Sequence, residues 1–176
     1  MKIGIIGYGV VGKAQAEFWG EENCIIHDPI IGAKNRALIN KECDMAFVCV
    51  PTPYRWDGKG FDISIVEEVL DKMPKEDERI VVIKSTVTIG TTDRLQEKYP
   101  KLKLLFNPEF LSEATAYADF DHPDRQFVGY TERSFGVSTQ VLHMLPESPY
   151  DLICPAKEAE LLKYINNLHG VLEVLE

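Results

Sequence analysis

The sequence predicts an α/β fold in which a doubly wound, mostly parallel sheet is followed by a long amphipathic helix. Three observations support this. Short apolar runs of strand length alternate with amphipathic stretches along most of the chain. The first apolar run leads directly into a glycine-rich turn, as in strand–turn–helix units that bind a dinucleotide. The last stretch has the apolar spacing of a helix and reaches the final residue.

The bulk composition is typical of a globular protein and argues against several classes of function. The 176 residues are 45% hydrophobic and 27% charged, enough for one domain with a sizeable core. The net charge of −9 argues against binding to nucleic acid or to a membrane surface. Because the chain begins with a strand and no apolar run approaches the ~18 residues of a membrane span, we expect a cytoplasmic protein.

Four cysteines show neither a C-x-x-C pair nor the spacing of metal ligands, so no metal site is expected. They are Cys24, Cys43, Cys49 and Cys154.

The first strand and the turn after it predict a dinucleotide site. Lys2 to Ile6 is an apolar run suited to a buried parallel strand, and Gly7 to Gly12 then fits G-x-G-x-x-G. The first glycine permits a tight turn, the second lets a pyrophosphate approach the backbone, and the third lets the helix pack on the strand. The phosphates would bind the free N–H groups at the helix N-terminus.

Asp28 predicts which dinucleotide is bound. It ends the second apolar run, nineteen residues after Gly9, where an acid can accept hydrogen bonds from both ribose hydroxyls of NAD. An acid rather than an arginine at this place favours NAD over NADP. Pro29 to Asn40 is interpreted as a loop and a short helix from Ala33 to Ile39. Lys34 in this segment could reach the adenosine end of the cofactor or remain a solvated lysine.

The rest of the chain continues the alternation of strands and helices. Further strands are expected at Asp44–Val50, Arg79–Lys84, Leu102–Phe106, Gln126–Tyr130 and Tyr150–Cys154. Helices are expected at Ile63–Met73 (capped by Asp62), from Thr91 or Thr92 to Tyr99, at Glu132–Leu145 and from Ala156 onward, with loops at Tyr54–Phe61 and, apart from a helical turn, Ala114–Asp124.

Polar loops follow several of these strands. The carboxyl ends of parallel strands share one edge of a sheet, so Gly7–Gly12, Pro51–Pro53, Ser85–Thr86 and Asn107–Glu113 should line one crevice. At the other end of the chain, an apolar stripe on the last helix needs a partner, which would be a second domain, another subunit, or both. The stripe comprises Leu161, Leu162, Ile165, Leu168, Leu172 and Leu175.

The glycine fingerprint and strand pattern by themselves indicate only a Rossmann-type dehydrogenase. Five longer segments add to this: GYGVVG, VCVPTP followed by DGKGFDIS, KSTVTIGTT, FNPEFLSEATAYADFDHPDRQFVG and AELLKYINN. In this order and spacing the chain resembles the UDP-glucose/GDP-mannose dehydrogenase family over nearly its whole length. The resemblance implies an NAD-dependent enzyme that oxidises the C6 alcohol of a nucleotide sugar, such as UDP-glucose, to a carboxylate with two NAD.

The resemblance also implies a role for each matching residue. The dinucleotide would be lined by Gly7, Gly9, Val10, Val11 and Gly12, with Asp28 on its ribose and Thr52 and Pro53 beside its nicotinamide half. Thr86 resembles a threonine that contacts NAD and helps to organise a catalytic water. Glu109 resembles the catalytic glutamate, and Glu113 a residue close to the nicotinamide.

The same resemblance implies a substrate site. The UDP-sugar would be bordered by Phe110, Leu111, Ser112 and Glu113. Lys163 and Asn167 match a K-Y-x-x-N motif in which both side chains stabilise the oxyanion formed at C6. Being one helical turn apart, they share a helix face. A carboxylate can accept the alcohol proton, and an ammonium with an amide N–H₂ can stabilise the developing negative charge.

The sequence also departs from the family. The segment G-x-G-x-G-G-x-C-x-x-K-D, which carries the family's catalytic cysteine, is not present, nor is the C-terminal UDP-binding domain. We therefore expect residues 1–155 to form an NAD-binding domain and residues 156–176 to begin the central helix around which family members dimerise. This chain alone is not expected to complete the oxidation to the acid.

Two other functions stay open at this point. A β-hydroxyacid dehydrogenase of the 6-phosphogluconate type shares the architecture and a lysine–asparagine pair, although the N-P-E-F-L and V-P-T-P loops argue against it. A module that binds NAD or dimerises without catalysis is the second. The sequence does not specify which nucleotide sugar would be used.

Overall fold

The computed structural model describes residues 2–58, 60–74 and 78–175, with the side chains of the last helix described as far as Asn167. Its strands are β1 (Ile3–Ile6), β2 (Cys24–Asp28), β3 (Ala33–Lys34), β4 (Met45–Val48), β5 (Tyr54–Arg55), β6 (Gly60–Phe61), β7 (Ile80–Ile83), β8 (Lys103–Phe106), β9 (Arg125–Tyr130) and β10 (Tyr150–Pro155). Its α-helices are α1 (Val10–Trp19), α2 (Arg36–Glu42), α3 (Ser64–Asp71), α4 (Thr91–Lys98), α5 (Ala116–Asp121), α6 (Ser138–Leu142) and α7 (Ala156–Leu175). Short 3₁₀ turns lie at Glu21–Asn23 and Phe135–Val137.

Within these described residues, eight strands form one sheet in the order β10-β9-β8-β7-β4-β1-β2-β3. The neighbours from β2 through β1, β4 and β7 to β8 are all parallel, and so are β9 and β10. The pairs β8–β9 and β2–β3 are antiparallel, and β5 and β6 form a separate hairpin. The prediction of a mostly parallel, doubly wound sheet is therefore confirmed.

The central strands are covered on both faces, which explains their continuous apolar sequences. On β4, Ala46 and Val48 face one apolar cluster, whereas Met45 and Phe47 face the other. Residues of α2, α3, α4 and α7 complete the first cluster, and residues of α1 and α6 complete the second. With both faces covered, the polar loops at the carboxyl ends of the strands are left as the exposed edge.

Three segments differ from the sequence prediction in the type of structure that they adopt. Ala33–Lys34 is an edge strand paired with His27 and Asp28, so the helix begins only at Arg36. The expected helix at Glu132–Leu145 is a 3₁₀ turn followed by the five-residue α6. The loop expected at Tyr54–Phe61 contains the hairpin of β5 and β6. Strand pairing decides the first and third cases, because two-residue strands have almost no propensity signal of their own.

The last helix packs unusually close to the sheet. A Cβ atom added at Gly129 of β9 would lie 2.7 Å from Cβ of Ala159 and 3.0 Å from Cα of Ala156. Small residues at these three positions thus set the separation between α7 and β9. The helix is present as predicted, with Leu161 and Ile165 of its stripe exposed. Leu168, Leu172 and Leu175 lie outside the described side chains.

No helix in the described part of the chain has both the length and the apolar character that crossing a bilayer requires.

Candidate cofactor and substrate site

The glycine turn between β1 and α1 is closed on its sheet side and open on its outer side. Gly7 has φ +95°, and a Cβ there would lie 2.5 Å from the carbonyl oxygen of Cys49. A Cβ at Gly12 would lie 2.0 Å from the carbonyl oxygen of Gly7. A Cβ at Gly9, in contrast, would meet nothing within 4 Å. No side chain in the described part of the chain caps the N-terminus of α1. This open, uncapped helix start fits a pyrophosphate.

Asp28 is bound to the same turn. Its Oδ2 accepts a hydrogen bond of 2.8 Å from the backbone N–H of Tyr8, and its Oδ1 accepts one of 2.9 Å from that of Ile30. These bonds fix the plane of the carboxylate, and each oxygen retains a lone pair. The arrangement leaves Asp28 able to accept hydrogen bonds from two ribose hydroxyls.

A cavity of about 260 Å³ beside Asp28 is large enough to receive part of an adenosine. Arg36 lines it and donates a hydrogen bond to the carbonyl oxygen of Val69, while its buried Nε has no hydrogen-bond partner among the described residues. Burial lowers the pKa of the Arg36 guanidinium to about 10. Lys34 is exposed on the edge strand β3 and does not line this cavity. Arg36, and not Lys34, thus lines this cavity.

A second cavity, of about 300 Å³, lies where β4, β7 and β8 end and is bordered by α7. It brings together Val10 and Val11, which were expected along the dinucleotide, with most of the residues expected at the nicotinamide and the sugar. These are Thr52, Thr86, Glu109, Leu111, Glu113 and Lys163. The Oγ1 of Thr52 donates a 2.6 Å hydrogen bond to the carbonyl oxygen of Thr86, which joins two of these loops. We call this space the catalytic cavity.

Glu109 forms an ion pair inside the catalytic cavity. Its Oε2 lies 2.8 Å from Nζ of Lys84, whose side chain is only 1% exposed compared with 15% for that of Glu109. The same Nζ donates a 2.5 Å hydrogen bond to Oδ1 of Asn107. Asn107 is itself held by a 2.8 Å bond from its Nδ2 to the carbonyl oxygen of Phe127. A buried lysine and asparagine thus fix the position of the Glu109 carboxylate.

Sequence reasoning missed Lys84. It lies directly after an apolar strand, Ile80–Ile83, and is consistent in sequence with an ordinary solvated strand end. The position of Lys84 in the sequence could have revealed its role. A lysine at the carboxyl end of a central parallel strand points into the ligand crevice rather than into solvent.

Lys163 reaches the cavity from α7 and donates a hydrogen bond to the carbonyl oxygen of Glu109. Its Nζ lies 5.5 Å from the centre of the Phe110 ring. Burial lowers the pKa of the Lys163 ammonium; the Glu109 carboxylate opposes this and the Lys84 cation adds to it. The proton on Lys163 is therefore held less tightly than on a solvated lysine.

The remaining expected residues lie around the cavity without lining it. Asn167 is exposed one turn beyond Lys163, and Pro53 is exposed on the loop after β4. Phe110 and Ser112 line a neighbouring cavity of about 290 Å³ together with Glu109 and Asn166. Glu109 thus lies between this neighbouring cavity and the catalytic cavity, at the same edge of the sheet.

Cys49 also lines the catalytic cavity. Burial raises the pKa of its thiol to about 12, and Nε2 of Gln15 lies 3.1 Å from its sulfur. Because the thiolate is the nucleophile, this cysteine is unsuited to attack at neutral pH. Over the described residues, no group of three or more His, Cys, Asp and Glu side chains could hold a metal ion.

With this geometry in hand, comparison with known proteins identifies the family. Residues 33–145 match the family described as UDP-glucose/GDP-mannose dehydrogenase family, NAD binding domain. This chain belongs to that family. The match includes the loops that carry Thr52, Thr86 and Glu109, and the cofactor is NAD, as the sequence predicted.

Curated relatives of the family are longer than this chain. A UDP-glucose 6-dehydrogenase from Campylobacter jejuni is 37% identical over an alignment of 163 positions, and the alignment covers 73% of this chain and 42% of that protein. A UDP-glucose 6-dehydrogenase from Pseudomonas aeruginosa is 33% identical over an alignment of 140 positions, and the alignment covers 72% of this chain and 31% of that protein. The chain therefore spans less than half the length of these relatives.

Solved structures of the family share the fold over nearly the whole chain. A GDP-mannose dehydrogenase from Pseudomonas aeruginosa, solved as a ternary complex, superposes with a TM-score of 0.77 at 22% identity, covering 99% of this chain and 51% of that one. A UDP-glucose dehydrogenase from the hyperthermophilic archaeon Pyrobaculum islandicum gives 0.73 at 25% identity, covering 96% and 49%.

Proposed function

We propose that this chain is the NAD-binding part of a nucleotide-sugar 6-dehydrogenase that oxidises the C6 alcohol of a UDP-sugar of the glucose type to a carboxylate with two NAD. The observation that carries the proposal is the catalytic cavity, in which a carboxylate and an ammonium lie beside the end of the glycine turn. The curated relatives named UDP-glucose 6-dehydrogenase support the choice of UDP-glucose over other sugars.

The cofactor would be held mainly by backbone atoms. The N–H groups at the start of α1 would bind the pyrophosphate next to Gly9, and Asp28 would bind the adenosine ribose. Val10, Val11, Thr52 and Thr86 would border the nicotinamide, with Pro53 and Glu113 at the edge of that site. NAD bound in this way supplies the acceptor for the hydride that leaves C6.

Glu109 would accept the proton of the C6 hydroxyl, directly or through one water ordered by Thr86. Its position in this role depends on Lys84, which lies against one carboxylate oxygen, and on the N–H of Phe110, which donates a 2.9 Å hydrogen bond to the other. A carboxylate restrained at both oxygens has little freedom to turn away from a substrate hydroxyl, which favours a productive geometry.

Lys163 would stabilise the negative charge that develops on the C6 oxygen, because its ammonium is directed into a cavity partly shielded from water. Asn167 would join it once a bound sugar or a further part of the protein covers the exposed end of this helix face. Phe110, Leu111 and Ser112 would border the sugar on the side of the neighbouring cavity.

We further propose that residues 1–155 form the NAD-binding domain and that residues 156–176 begin a helix at which two copies associate. The exposed fractions of Leu161 and Ile165, 44% and 53%, support such an interface. The chain alone would not complete the oxidation to the acid, because burial raises the thiol pKa of all its cysteines above the ordinary value.

The test measures cofactor binding and hydride transfer separately. Calorimetry with NAD and NADP should show tighter binding of NAD, and absorbance should report any NADH formed after UDP-glucose is added. We expect Glu109→Gln to bind NAD as the unmodified chain does and to abolish any NADH formation. Glu97→Gln, an exposed change of the same chemistry on α4, is the matched control.

Three outcomes would contradict the proposal. Absence of NAD binding would contradict the proposed role as a cofactor domain. NADH formed from 6-phosphogluconate but not from UDP-glucose would indicate a β-hydroxyacid dehydrogenase instead. Stoichiometric UDP-glucuronate made by this chain would contradict the claim that it cannot finish the reaction.

A further inference from the structure

Glu160 is a buried acid that the proposed chemistry does not use. It lies on α7, is 0% exposed, and its carboxylate accepts three hydrogen bonds from the start of α4. The donors are the N–H of Gly90 at 2.5 Å, the N–H of Thr92 at 2.8 Å and the hydroxyl of Thr92 at 2.7 Å. A side chain from the last helix thus caps a helix that begins about 70 residues earlier in the chain.

The Glu160 carboxylate binds backbone N–H groups of α4 that would otherwise lack an acceptor. Among the described residues, no side chain next to Gly90 caps α4, so the first N–H groups of that helix need an acceptor from elsewhere. Burial raises the pKa of Glu160, whereas the three hydrogen bonds act in the opposite direction. Because a buried carboxylate is costly unless it is fully hydrogen-bonded, Glu160 tolerates little displacement from these donors.

The position of Glu160 bears directly on that of Lys163. The two residues are about one helical turn apart and move together when α7 rotates or slides. Tyr164 adds a second contact nearby, a 3.1 Å hydrogen bond from its hydroxyl to the carbonyl oxygen of Val87. The packing of Ala159 on Gly129 sets how close α7 lies to the sheet, but apolar contacts do not fix rotation as directional hydrogen bonds do.

We propose that Glu160 is a positioning residue: by binding Gly90 and Thr92 it sets the rotation of α7 and so directs the Lys163 ammonium into the catalytic cavity. The consequence for catalysis rests on the proposed function, whereas the positioning itself does not. The charged groups that face Lys163 are Glu109, after β8, and Lys84, after β7, and neither is altered when Glu160 is changed.

The test follows the reactivity of Lys163 rather than turnover. Competitive acetylation at a series of pH values, read by peptide mass spectrometry, gives a midpoint for this amine. We compare the unmodified chain with Glu160→Gln, which keeps the shape of the side chain but replaces one acceptor with a donor. Glu158→Gln, an exposed change on the same helix, is the matched control.

The sign of the shift separates positioning from a simple loss of charge. If α7 rotates or shifts in Glu160→Gln, Lys163 leaves its buried site, and the pH midpoint of its acetylation moves upward. The midpoint should not move in Glu158→Gln. Loss of the Glu160 charge without movement of α7 would leave the midpoint unchanged or move it downward, because removing an anion can only destabilise an ammonium. A midpoint that moves downward or stays unchanged overturns the proposal, even if the amides of Gly90 and Thr92 lose protection from hydrogen exchange.

A second variant covers the case in which Glu160→Gln does not fold. Thr92→Val removes one of the three donors and keeps the two N–H groups, so a smaller upward shift is expected, and no shift overturns the proposal. Thr92→Ser retains the hydroxyl and should restore the original midpoint. NAD titrations of the same samples report on the proposed function independently, since failure to bind NAD would leave the labelling result intact.

Discussion

The two halves of the crevice are built from different parts of the polypeptide. The half that would hold the dinucleotide consists mainly of backbone: a glycine turn within a single stretch of chain, whose Tyr8 N–H donates a hydrogen bond to Asp28. The half that would hold the sugar consists of charged side chains, Lys84, Glu109 and Lys163, which come from three distant segments. The first half depends on steric fit, and the second depends on burial and on charge pairing.

This difference predicts how each half fails. A backbone site is damaged when a Cβ is added, since the turn has no space on its sheet side. A side-chain site is damaged when one charge is removed, since a buried partner is then left without compensation. Mutations in the two halves should therefore separate cofactor binding from the electrostatics of the catalytic cavity.

The largest expected effect tests how far water is excluded from the half of the crevice that is built from side chains. Burial raises the pKa of the Cys49 thiol from 9.0 to about 12, so its thiolate fraction at pH 8 should be about a thousandfold lower than in the unfolded chain. Alkylation by iodoacetamide, followed by peptide mass spectrometry, should be slower for native than for urea-unfolded protein by about that factor. Equal alkylation rates in native and unfolded protein would show that water enters the cavity freely. The contrast between a backbone half and a buried side-chain half of the crevice would then be wrong.

The same shift has a consequence for stability. The native thiol holds its proton more tightly than the unfolded one, so its stabilising contribution is complete below about pH 9 and is lost as pH rises toward 12. Cys49→Ser should reduce the slope of unfolding free energy against pH in that window.

The next effect tests the ion pair. Lys84→Met would leave the Glu109 carboxylate without its cation and Asn107 without a donor, at a cost of about 3 kcal/mol, near the lower end for broken buried pairs because Glu109 is 15% exposed. Urea unfolding measures this cost. The double variant Lys84→Met/Glu109→Gln should recover most of it. If Lys84→Met/Glu109→Gln is no more stable than Lys84→Met, the pairing of Lys84 with Glu109 has no role in the stability of the fold.

The smallest effect contrasts two glycines of the same turn. Gly12→Ala places a Cβ 2.0 Å from a backbone oxygen and should lower the free energy of unfolding by about 2–3 kcal/mol. Gly9→Ala meets no atom and should leave stability within about 0.5 kcal/mol, while weakening NAD binding where the pyrophosphate approaches. Thermal melts and calorimetry on both variants give the comparison. Normal NAD affinity in Gly9→Ala would place the pyrophosphate elsewhere.

Sequence patterns were most reliable where the information is local. The alternation of strands and helices, the glycine turn and the acid that ends β2 all follow from short-range spacing, and the mostly parallel sheet is confirmed. Boundaries were less reliable where pairing decides them. The two-residue strand Ala33–Lys34 exists because it pairs with His27 and Asp28, and propensity alone favoured a helix there.

The sequence by itself thus determined the fold class, the dinucleotide turn and the family, because each depends on residues close together in the chain. Only the tertiary structure decided that Lys84 binds Glu109, that Arg36 rather than Lys34 lines the cavity beside Asp28, and that Glu160 caps α4. Those contacts join segments brought together by strand order and helix packing. The energy of a buried charge depends on such neighbours, which the spacing of residues along the chain does not encode.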